Sequence, residues 1–107
     1  MTLLAWFVFM VAALLEVGGD AAIRHGLKGA GWFFIAAGFA ALGIYGLVVN
    51  TVPWDFSRLL GVYVAFFAVV SVLFARFIFK ETIPSGTWAG LGLIVAGGLV
   101  IQFSNTR

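Results

Sequence analysis

The hydrophobic and polar positions of this chain fall into four long apolar runs, at about residues 3–23, 32–52, 59–79 and 87–103. A helix rises about 1.5 Å per residue and needs roughly 20 apolar residues to cross a bilayer. Each run therefore predicts one spanning helix. Four such helices and three short connections use the whole chain, so residues 1–107 read as a single four-helix transmembrane domain. The connections carry turn chemistry. "RHGLKGAG" (24–31) holds three glycines. "NTVPWDFS" (50–57) holds Pro53, and either Asp55 or Ser57 can cap the third helix. "KETIPSG" (80–86) holds Pro84 and Gly86. Trp6, Trp32, Trp54 and Trp88 each fall near a predicted helix end, as in the aromatic belt at the headgroup level.

Composition sharpens this picture. The chain is 64% hydrophobic and only 9% charged, where a soluble domain has about a quarter of its residues charged. That excludes a soluble protein and predicts an all-α, multi-pass protein of the cell inner membrane. There is no cysteine, which excludes disulfides and thiolate metal sites. The net charge of +2 includes no basic cluster of the kind that grips nucleic acid. The first run has no basic leader and contains Glu16, which argues against a cleaved signal peptide.

Loops this short imply an up-down-up-down bundle with both termini on one side. Loops one and three then share Arg24, Lys28, Arg76 and Lys80, against Arg58 and Arg107 on the other side. The bias weakly favours loops one and three in the cytoplasm. A dual-topology protein, inserted both ways, would show the same small bias.

The charged positions change the reading most. "LLEVGGDAAIR" (14–24) sets Glu16, Asp20 and Arg24 at i, i+4 and i+8, along one helical stripe. Glu16 lies roughly 20 Å down the first helix, past the midplane of a ~30 Å core. An ionised carboxylate there costs ~2.5–3.5 kcal/mol or more. A proton, a cationic partner or a water-filled cavity reduces that cost, and each makes Glu16 a site. The competing reading is an interhelical hydrogen bond. Asp20 sits near the helix end, where Arg24 can pair with it or snorkel to the headgroups. Gly18 and Gly19 cost about 1 kcal/mol each in a soluble helix; here they permit close helix approach or leave room for a guest. In the third run, Tyr63 can stack on a cation or bond a carboxylate, or be satisfied by a backbone carbonyl. In the fourth, Gly90 and Gly97 are seven residues apart on one face, with Gly98 adjacent, as in a helix–helix contact.

The whole chain is similar in length and plan to the small multidrug resistance transporters. "ALLEV" (13–17) resembles the segment around that family's essential first-helix carboxylate, which would assign that role to Glu16. The stretches "FKETIP" (79–84) and "WAGLGLIVAGGLVI" (88–101) resemble its third loop and fourth helix, and would make Gly90 and Gly97 the dimerisation glycines. The third-helix stretch "LLGVYVAFFAVV" (59–70) departs from the family's pattern: it has no tryptophan and no glycine-rich kink. Arg58 followed by Tyr63 resembles the YnfA-type branch instead.

The resemblance implies an antiparallel or dual-topology dimer, with Glu16 from each copy in one chamber. Paired carboxylates titrate as a unit, and proton and cation then compete for one charge. The expected function is proton-coupled export of small or hydrophobic organic cations. Glu16, Tyr63 and Asp20 form the substrate and proton site, and no cofactor or metal is required. The expected partners are the cation, protons, membrane lipid and a second subunit, identical or different. Two other classes stand beside it: a subunit moving a lipid-linked or polyamine-like substrate, and a non-transporting assembly protein. Enzymatic activity is not expected, since the one histidine lies in a loop and no nucleophile–base pair is present.

Overall fold

The computed structural model describes residues 3–104; Arg107, used in the charge count above, lies outside the described residues. Four α-helices follow one another: α1 (Leu3–His25), α2 (Trp32–Val49), α3 (Phe56–Phe77) and α4 (Ser85–Phe103). All four are long and apolar enough to cross a membrane. The protein is an all-α, multi-pass membrane protein.

The helix ends differ from the sequence expectation for local reasons. α2 stops at Val49 rather than at residue 52. The Asn50 side chain donates to the Gly46 carbonyl at 2.8 Å and the Thr51 hydroxyl to the Val48 carbonyl at 2.7 Å. These bonds compete with continued helix, and Pro53 follows. α3 begins at Phe56, not at residue 59, so Arg58 lies inside its first turn. Asp55 takes the position before that turn, but neither it nor Ser57 supplies a side-chain cap. Between α1 and α2 the chain makes one wide helical turn, Gly26–Ala30. Gly29 and Gly31 there adopt φ of 125° and 106°, which side-chain-bearing residues avoid.

The chain divides into two compact units, Met1–Pro53 and Trp54–Arg107, each built on one helix pair. In the first, α1 and α2 run antiparallel and touch backbone to backbone. A Cβ on Gly38 would lie 2.6 Å from the Gly19 carbonyl oxygen and 2.5 Å from Ile23 Cγ1. One on Gly26 would lie 2.7 Å from Ile35 Cγ1. Small residues make this approach possible, as at many membrane helix crossings. Gly18, the neighbour of Gly19, has nothing within 4 Å of an added Cβ. Of the two glycines, Gly19 serves close approach and Gly18 does not.

In the second unit, α3 and α4 also run antiparallel. Gly98 packs against Ala65 and Gly61 against Ile101, and the Arg58 guanidinium (Nη2) donates to Gln102 Oε1 at 3.2 Å. The Ser71 hydroxyl bonds back to the Ala68 carbonyl at 2.9 Å, so it is satisfied within its own helix.

This packing generates a test. Gly38→Leu should destabilise the first helix pair by about 2 kcal/mol or more, since backbone cannot yield to the added volume. Gly43→Leu should be near neutral, because Gly43 has open space around it. Thermal unfolding of both variants in detergent, followed by circular dichroism, checks the contrast.

Candidate functional site

The site is best built from the outer surface inward. On α1 the strongly exposed apolar side chains Leu3, Phe7, Met10 and Leu14 form one outward stripe. Glu16 is nine residues after Phe7, which is two and a half turns at ~3.6 residues per turn. It therefore stands on the opposite face, where it is half-buried. Phe9, Ala12 and Ala13 on that side are fully buried. Glu16 faces the protein, not the apolar outer stripe.

The register of α1 against α2 shows what lies across from it. Gly19 meets Leu42, Ile23 meets Gly38, and Gly26 meets Ile35. Each step of three or four along α1 is matched by an equal step back along α2. Continuing the same pairing toward Leu3 sets Glu16 opposite Tyr45 and Ala12 opposite Val49. Ala12 and Val49 are almost completely buried, as facing residues should be. Tyr45, half-buried, is close enough to interact electrostatically with Glu16.

Tyr45 is the functional candidate that sequence reasoning missed. It interrupts an otherwise apolar α2, "GFAALGIYGLVV" (38–49), and that interruption was the available signal. Only the pairing of α1 with α2 connects it to a carboxylate 29 positions earlier in the chain.

The other expected residues fall as follows. Asp20 lies one turn beyond Glu16 on the same stripe, and it is exposed. Among the described residues no ion pair joins Asp20 to Arg24, which is also exposed. The pair expected from their spacing is not formed. Tyr63 is 3% exposed, inside the second unit on α3. Gly90 and Gly97 on α4 would each carry a Cβ with nothing within 4 Å. Packing within the α3–α4 pair falls to their neighbour Gly98, and Gly90 and Gly97 take no part in that contact. His25, at the end of α1, packs edge-on against Phe34 at 4.7 Å between ring centroids, an aromatic contact across the first turn. Among the described residues no three His, Asp or Glu side chains gather as a metal site would need.

A half-buried carboxylate facing a tyrosine can hold a proton, bind a cation, or exchange one for the other. The hydroxyl can donate to the ionised carboxylate, and the ring can receive the apolar part of an organic cation.

Comparison with known proteins places the chain. No protein-family model matches it, and no solved structure matches it. Among curated proteins, a UPF0060 membrane protein of Nocardia farcinica is 35% identical over 99 residues, covering 91% of this chain and 89% of that protein. A UPF0060 membrane protein of Rhodococcus erythropolis is 39% identical over 70 residues, covering 64% of this chain. One of Streptomyces avermitilis is 39% identical over 67 residues, covering 61% of this chain. The chain spans 65% and 60% of the length of these last two relatives. With nearly the whole Nocardia relative covered and a membrane architecture in common, the chain belongs to the UPF0060 family of membrane proteins.

Proposed function

We propose that this protein exports small or hydrophobic organic cations in exchange for protons, working as a dimer in which Glu16 is the group the two compete for. The observation that carries this reading is the setting of Glu16: mid-span, half-buried, turned away from the outward apolar stripe of α1 and facing Tyr45. A carboxylate so placed is stable only when protonated or partnered by a cation. If each occupant excludes the other, loading a proton from one side expels the cation to it. Coupling then needs no further machinery than one charge and two faces of access.

Other residues support the cycle. Tyr45 orients the carboxylate and offers a ring to the cation. Asp20, exposed one turn further along the stripe, adds negative charge on the way to Glu16 and draws cations toward it. The open face at Gly90 and Gly97 is available to the α4 of a second copy.

Four outcomes test this. Adding an organic cation such as tetraphenylphosphonium to the detergent-solubilised protein should release protons. Glu16→Gln should remain folded and abolish both release and binding; release that persists in this variant would remove Glu16 from the coupling site. Tyr45→Phe should keep proton coupling but weaken cation affinity by about fivefold, the worth of one ~1 kcal/mol hydrogen bond, read by isothermal titration. Gly90→Leu and Gly97→Leu should reduce dimer formation in lipid, measured by single-molecule photobleaching, without lowering the thermal stability of the α3–α4 pair.

A further inference from the structure

Arg58 is a half-buried cation with no carboxylate partner among the described residues, and its surroundings hold it in one place. Its guanidinium carbon stacks 4.0 Å from the centre of the Trp54 ring. Its Nη2 donates to Oε1 of Gln102, itself a buried side chain on α4. Its Nε is enclosed and has no hydrogen-bond acceptor. Asp55, the nearest acidic residue in sequence, is exposed and forms no ion pair with it among the described residues.

A guanidinium has five N–H donors in a planar fork. Here one donor is bonded, one face is stacked, and the charge is uncompensated. Leaving a partly buried cation without a counter-charge is costly, and Gln102 supplies only one neutral acceptor. An oxyanion with two adjacent oxygens would meet the free Nη donors and the charge together. The stack and the Gln102 bond restrict the side chain beforehand, so little rotamer freedom remains to be lost on binding.

The surroundings specify which oxyanion. Trp54 stands just before α3, at the level where tryptophans meet headgroups. Phe56 and Phe103, chain neighbours of the site on α3 and α4, are 70% and 74% exposed. Exposed aromatic surface beside an anchored cation suits a phosphate with acyl chains attached, not a free ion. We propose that Trp54, Arg58 and Gln102 form a binding site for the phosphodiester headgroup of an anionic membrane lipid, with Phe56 and Phe103 against its chains. This site stands apart from Glu16 and does not rest on the transport reading.

Native mass spectrometry of the full chain, titrated in detergent with dioleoyl phosphatidylglycerol, tests the assignment. The parent should retain bound lipid, and Arg58→Gln should lose about tenfold in affinity, the scale of a hydrogen bond to a charged group. Arg76→Gln is the control. Arg76 is exposed at the other end of α3, near the Phe77 ring at 5.5 Å, and its loss should change lipid binding less than twofold. Equal losses in the two variants would mean general surface electrostatics and would overturn the site, as would unchanged binding in Arg58→Gln. Displacement of the lipid by an equal concentration of inorganic phosphate would overturn the lipid assignment in favour of a free-phosphate site. If Arg58→Gln does not fold, Gln102→Leu keeps the charge and removes only its anchor. About a threefold loss of lipid affinity is then expected, and parent-like binding would refute the proposal.

Discussion

The site depends on the contact of two glycines. Gly19 and Gly38 bring the α1 and α2 backbones together at a distance no side chain would permit. In a membrane, apolar surface gains little by leaving lipid, so helices associate through close van der Waals packing and polar contacts. Small residues at a crossing supply the first, and they also fix the register. Had the crossing slipped by a turn, Glu16 would face Ala41 or Val49 instead of Tyr45. A pair of residues without chemistry of their own thus decides which residue meets the intramembrane carboxylate.

The same constraint explains why the carboxylate is tolerated. α1 has an outward face made almost wholly of large apolar side chains and an inward face of small and buried ones. Glu16 takes the inward face, where a tyrosine and a narrow interhelical space replace hydrocarbon. The cost of desolvating the charge is thereby lowered relative to a lipid-facing position. Asp20, one turn on, is exposed rather than turned into the interhelical space. Two acidic residues four positions apart therefore occupy different electrostatic settings on one helix.

The two helix pairs solve the problem of polar groups in different ways. The first keeps an acid opposite a phenol. The second keeps a guanidinium stacked on an indole and bonded to a buried amide. The first arrangement suits a mobile cation. The second has no carboxylate partner among the described residues, and its position at the start of α3 suits a phosphate at the membrane surface. Both follow from the rule that a partly buried charge must find a partner.

Much of this was legible from the chain alone. Apolar runs of spanning length determined four helices, because the bilayer allows backbone to cross it only with its hydrogen bonds satisfied internally. The rarity of charge made Glu16 conspicuous, and its spacing to Asp20 placed both on one stripe. The starts at residues 3 and 32 and the end at 103 agree, while other ends differ by two to three residues; at the end of α2 the Asn50 and Thr51 side chains bond locally in a way periodicity does not reveal. The tertiary structure decided what spacing could not: that Gly19, not Gly18, is the crossing point; that Gly98, not Gly90 or Gly97, packs α4 against α3; that Asp20 and Arg24 stay apart; and that Tyr45 stands across from Glu16. Helical periodicity fixes which residues share a face, but only the packed register fixes which faces, and which residues on them, meet.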